Sequence, residues 1–149
     1  MLEINSVMSN SNETFFTAVG CMDGRVQDVI ATFGQQKFGV KYPDTITEAG
    51  IVGKLAIESV DQSLMDSLKF KVVDVSIGKH HASGVVVHGH AECAGNPVED
   101  EKQKDDIRKS VQVVQSLVGS TPVVGVFVHR SELDPSKWVA EGIPATVTA

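Results

Sequence analysis

Two short stretches hold the residue types that could do chemistry. Val85-Val86-Val87-His88-Gly89-His90-Ala91-Glu92-Cys93 runs from β-branched residues into a turn that offers an imidazole, His90, and a thiol, Cys93. Val19-Gly20-Cys21-Met22-Asp23-Gly24-Arg25 is built alike: an apolar run ends in a thiol, then an acid and a base follow. Thiolate and imidazole are zinc ligands; structural sites use four protein ligands, and catalytic ones use three and keep a position for water. The chain has two cysteines, so Cys₄ and Cys₃His sites are excluded. Cys21, His90 and Cys93 leave the fourth position to water or to a nearby carboxylate. Asp23 is close enough to be that carboxylate, and Arg25 can hold it away in a bidentate pair. The pair forms a switch: Asp23 on the metal closes the site, and Asp23 on Arg25 opens it. Water on an open zinc has its pKa lowered toward ~7 and can act as hydroxide.

These ligands need elements that bring them together. Phe15 to Val19 is a short apolar run, a first strand ending at Gly20-Cys21. Val26, Val29, Ile30 and Phe33 then recur at helical spacing, with Gly34 as the expected stop. A short strand falls within Phe38 to Ile46, around a Pro43-Asp44 turn signal, and Glu48-Ala49-Gly50 closes a loop. Ile51 to His80 is mostly helical, with Leu64, Leu68, Val72 and Val75 on one face, although Val73, Val75 and Ile77 also alternate like a strand. Val85 to His88 is a buried strand. Ile107, Val111, Val114 and Val118 stripe a helix that Gly119 ends. Val123 to Val128 is another apolar strand, Ser131 to Trp138 a last short helix, and Ile143 to Ala149 a tail. Strands apolar on both faces, separated by amphipathic helices, predict an α/β domain with a short, mainly parallel sheet flanked by helices. Ligands in such sheets bind beyond the carboxyl ends of strands, where strand order reverses. If the strands ending at Cys21 and at His90 are neighbours there, the three ligands converge.

Composition removes other classes. A chain of 149 residues is read as a single domain, 1–149, with residues 1–14 as a flexible or docking arm. The net charge of −6 and the lack of a Lys/Arg cluster argue against nucleic acid as a partner. No apolar stretch approaches the ~20 residues of a membrane helix. The polar start lacks a basic segment followed by an apolar run, so a cytoplasmic location is expected. Phe15, Phe16 and Trp138, read as exposed near the chain ends, point to a homodimer or higher homo-oligomer.

Together, Cys-x-Asp-x-Arg and the later Gly-His-x-x-Cys resemble the β-class carbonic anhydrases. The resemblance implies Cys21, His90 and Cys93 as zinc ligands and Asp23 and Arg25 as the dyad that controls the fourth position. It also implies an α/β fold around a mainly parallel sheet, assembly into dimers or tetramers, and reversible hydration of carbon dioxide to bicarbonate by zinc hydroxide. Departures lie around the pocket rather than the metal. Gly24 stands where the family usually has Ser or Ala, Thr47-Glu48-Ala49-Gly50 where many members have an Arg-Asn-Ala-Gly-like loop, and Ala94-Gly95-Asn96-Pro97 is not the common sequel. They leave room for a zinc hydrolase of carbonyl sulfide or carbon disulfide, and for a non-catalytic zinc protein of the same fold.

Plainer readings compete for each residue. The thiols could be ordinary buried cysteines or a disulfide, and Asp23–Arg25 a surface pair worth little. His88 is read as a packed, hydrogen-bonded core residue, with a pocket role as the alternative. Glu48 is read as a loop carboxylate, Glu92 as solvated or next to the ligands, and the charges from Glu99 to Lys109 as a solvated helix face.

Overall fold

Two six-residue runs, Phe15–Gly20 (β1) and Val85–His90 (β3), are rich in aromatic and β-branched residues and are almost wholly buried. Such runs are shielded on both faces only inside a sheet covered on both sides. The computed structural model describes residues 12–145 and places β1 and β3 side by side, parallel, at the centre of a five-stranded sheet. The strand order is β2-β1-β3-β4-β5, with β2 at Tyr42–Thr47, β4 at Val123–Arg130 and β5 at Trp138–Ile143. Only β5 runs antiparallel. The chain therefore has the mainly parallel α/β architecture expected of it. Residues 1–11 of the expected arm and 146–149 of the expected tail lie outside the described residues.

Helix α1 (Gln27–Phe38) covers one face of the sheet, over Phe16, Ala18, Val86, Val126 and Val128. The other face receives α2 (Ile51–Leu55), α3 (Gln62–Leu68), a π-helix (Lys69–Ile77) and α4 (Asp100–Val118). Ile107, Val111, Val114 and Val118 face this core, as their spacing predicts, and Gly119 caps α4 at φ 66°. Of these, Ile107 and Val114 are fully buried, and full burial of such an aliphatic side chain stabilises a fold by about 1.5–3 kcal/mol.

Gly34 is not the helix stop. It lies within α1, and the chain turns instead at Gly39, in the left-handed conformation at φ 65°. Gly34 instead makes room for a neighbour, since a Cβ there would lie 2.1 Å from the buried Phe16 ring. Helix propensity alone favours Gly34→Ala by about 1 kcal/mol. Overpacking against Phe16 outweighs it, and a net loss of about 1–2 kcal/mol is expected in urea titrations.

Three further expectations change. Pro43 and Asp44 sit inside β2, not in a turn; β2 pairs only with β1, and an edge strand tolerates a residue with no N–H. Ile51 to His80 is mostly helical, with a break at 56–61, but its last helical part is π-wound, so Leu68, Val72 and Ser76 face inward in place of Val75. The wider turn carries each inward position four residues on. Ser76 hydroxyl then reaches Asp44 at 2.7 Å and Thr17 at 2.6 Å. Finally, Ser131 to Trp138 forms no helix. Ser131 Oγ accepts from the Leu133 and Asp134 N–H groups, and Asp134 accepts from the Ser136 N–H and hydroxyl. These local bonds satisfy the backbone in a turn, and Trp138 opens β5 instead.

Candidate metal centre

Strand order reverses between β1 and β3, so the crevice beyond their carboxyl ends is the expected ligand position in an open sheet. Gly20 pairs with His88, which brings Cys21, just past β1, level with the end of β3. His90 is the last residue of β3, and a tight turn returns Cys93 to the same place. One ligand atom from each of Cys21, His90 and Cys93 lies within 4.8 Å of the others, and all three residues are buried.

The donor chemistry fits a metal. The two sulfurs are 3.7 Å apart and unbonded, far beyond a disulfide length of about 2.05 Å. Tetrahedral zinc with bonds of about 2.3 Å holds two sulfurs about 3.8 Å apart. His90 Nδ1–H donates to the Ala91 carbonyl at 2.8 Å, which fixes the tautomer and leaves Nε2 with a free lone pair. Nε2 is buried and has no hydrogen-bond partner. An orphaned buried acceptor is costly, and a cation between it and the sulfurs removes that cost. Burial, and then the nearby Cys21, push the Cys93 thiol up, while the Asn96 and Gly95 N–H groups act the other way. Gly50 N–H points at Cys21 Sγ from 3.4 Å.

Asp23 is turned onto Arg25. Arg25 Nε donates to Oδ1 at 3.1 Å, Nη2 to Oδ2 at 2.7 Å, and the Arg25 backbone N–H to Oδ1 at 2.9 Å. These bonds, the guanidinium ones first, hold the Asp23 carboxyl at a pKa of about 2, against the opposing effect of burial. Its Oδ2 stands 3.8 Å from His90 Nε2. Gln27 Nε2 steadies the turn by donating to the Cys21 and Asp23 carbonyls.

The other candidates sort themselves by position. His88 is fully buried, with both ring nitrogens unpartnered, so it is packed in the core but not hydrogen-bonded as expected. Burial, then the nearby His90, pull its pKa down to about 3. Its ring lies where a Cβ on Gly20 would stand. Glu48 pairs with Lys54 at 2.7 Å, as a loop carboxylate does. His80 stacks on Phe15 and pairs with Asp44, at the far end of β1. Phe16 is fully buried, and Phe15 and Trp138 are partly so, so none of the three residues behind the dimer expectation is exposed.

Sequence reasoning missed two groups. The expected solvated face from Glu99 to Lys109 is solvated only in part, because Gln103 and Asp106 are buried. Both accept from Asn96 Nδ2, at 3.3 and 3.0 Å, and so tie the loop after Cys93 to α4. The second group is Arg130 with Trp138. Arg130 closes β4 at the same end of the sheet, which is the signal that could have found it. The described residues include no helix long and apolar enough to cross a membrane.

Residues 11–141 match the model of a family described as "Putative carbonic anhydrase". No curated protein matches the chain. Among solved structures, it is similar to the β-carbonic anhydrase CafA of the fungal pathogen Aspergillus fumigatus. Identity is 14%, the match covers 98% of this chain and 83% of that one, and the TM-score is 0.48.

Proposed function

The chain belongs to that carbonic anhydrase family, and on this premise we propose that it is a zinc enzyme hydrating carbon dioxide reversibly to bicarbonate. The observation that carries the reading is the convergence of Cys21, His90 and Cys93 donors beside an Asp23 already committed to Arg25. Zinc held by those three would supply Lewis acidity, lowering the pKa of water toward ~7.

The chain's own groups then have defined roles. The Ala91 carbonyl orients His90 so that Nε2 faces the sulfurs. Arg25 occupies both Asp23 oxygens, which keeps the carboxylate from acting as a fourth protein ligand. With a pKa of about 2, Asp23 stays ionised near neutral pH, so it accepts hydrogen bonds and is a poor proton acceptor. Facing the donor cluster, it favours a reactant that brings an O–H. His88, sealed in the core, offers no route for the released proton, which leaves to solvent or buffer. A non-catalytic zinc protein is expected to close its site with a fourth protein ligand; the Asp23–Arg25 pairing favours an open one.

Stopped-flow carbon dioxide hydration on zinc-loaded protein tests the reading, with carbonyl sulfide hydrolysis assayed beside it. Hydration well above the buffer rate is expected, and Asp23→Asn should lower kcat/KM by about 100-fold. Background hydration from protein carrying one zinc per chain would sink the proposal, and turnover of carbonyl sulfide alone would replace it with the hydrolase reading.

A further inference from the structure

Arg25 does not hold Asp23 unaided. Its Nη2 also donates to the Glu92 backbone carbonyl at 3.2 Å, and Nη1 lies 3.6 Å from Glu92 Oε1. Glu92 is itself gripped from the other side. Arg130 Nε donates to Oε2 at 2.8 Å and Nη2 to Oε1 at 3.2 Å, a bidentate pair. Both guanidinium groups lie over the Trp138 ring, Arg25 at 4.7 Å and Arg130 at 4.6 Å from its centroid. That is within the reach of a cation–π contact. Arg130 is anchored in turn through Nη1 to the Pro135 carbonyl at 2.9 Å.

The backbone of Glu92 is what makes this geometry. Glu92 has φ 60°, a left-handed conformation that a residue with a Cβ adopts only under constraint. It sits in the turn between His90 and Cys93, and from there it serves Arg25 with its carbonyl and Arg130 with its carboxylate. Elsewhere in the described residues only His81 among non-glycines has positive φ.

We infer that Arg130, Glu92 and Trp138 form a clamp that holds Arg25, and through it Asp23, in the arrangement that keeps the fourth metal position open. They are positioning residues, drawn from β4, the Cys93 turn and β5. The inference rests on the zinc reading above. Without the clamp, Arg25 loses its outer partners, and Asp23 is free to swing the short distance toward the donor cluster and close it.

The test uses cobalt(II)-loaded full-length protein, with azide as the probe and visible absorption as the readout. Azide shifts the cobalt spectrum only where a coordination position is free. Arg130→Ala and Glu92→Ala are expected to keep one cobalt per chain but bind azide about tenfold more weakly, as the open fraction falls. The two changes alter the local charge in opposite directions. A simple field effect would therefore weaken azide binding in one and strengthen it in the other. In an Asp23→Ala background, where nothing remains to close the site, Arg130→Ala should have no further effect. Wild-type-like azide binding in both variants, or tighter binding in Glu92→Ala, overturns the clamp and leaves the zinc reading intact. Wild-type protein that takes up cobalt but never responds to azide overturns both.

Discussion

Cys93→Ala is expected to abolish metal retention, from one zinc per chain to under about a tenth after dialysis. Loss of a residue that merely supports a ligand costs about 10–100-fold in affinity, and loss of a ligand itself costs more. The expected loss follows from where the turn delivers Cys93. Its sulfur stands 3.7 Å from that of Cys21, and no other Cys, His, Asp or Glu among the described residues joins the cluster. Asp23, the nearest spare donor, is committed to Arg25. The mutant should also lose the metal's contribution to stability. Wild-type protein stripped by a chelator should unfold at a lower temperature than the zinc-loaded form, by mass action on the folded state. The mutant should melt at the same temperature with or without zinc. Retention of one zinc per chain by Cys93→Ala, or by Cys93→Ser should the alanine variant fold poorly, would contradict the ligand assignment.

Gly50→Ala should cost about 3–4 kcal/mol of stability. Gly50 has φ 61°, and a left-handed alanine costs about 1–2 kcal/mol before any contact is counted. The added carbon would also lie 2.3 Å from the carbonyl carbon and oxygen of Gly95, with Asn96 N at 2.7 Å. These are backbone atoms of the loop that follows Cys93, so no rotamer change relieves the clash, and overpacking adds about 1–3 kcal/mol. Either loop that yields moves a candidate ligand. Gly50 N–H points at Cys21 Sγ, and Gly95 is two residues past Cys93. Urea unfolding of the metal-free protein checks the stability loss, and zinc uptake by the folded fraction checks the displacement. A loss under about 1 kcal/mol would show that the two loops are not in rigid backbone contact.

How far the sequence could be read depended on the scale of the determinant. Cys21, His90 and Cys93 were legible because metal chemistry restricts residue types and the strand ends restrict where they fall. Asp23 and Arg25 were legible because they are sequence neighbours, and their pairing is local. The α4 stripe was legible because one face of it is continuously buried. Trp138 and Arg130 were not, because β5 is an edge strand whose pairing with β4 is a tertiary event. Within the segment before it, Ser131, Asp134 and Ser136 read as easily as a helix start as the turn they make. Gln103 and Asp106 were hidden in a charged run, and only the Asn96 loop packed over α4 explains their burial. Gly34 looked like punctuation, but its meaning lies in Phe16 across the interface. Nothing in the spacing of Lys69 to Ile77 distinguishes a π-helix from an α-helix.

The register between β1 and β3 has a kinetic corollary. The two sulfurs are separated by 72 positions along the chain, and they meet only once two remote strands have aligned residue for residue. A nascent or collapsed polypeptide therefore offers a cation no preformed nest. Closing so long a span is slow, and an ion held there would join after that search is over. It would then act as a latch, slowing escape from the finished topology and leaving the rate of reaching it almost untouched.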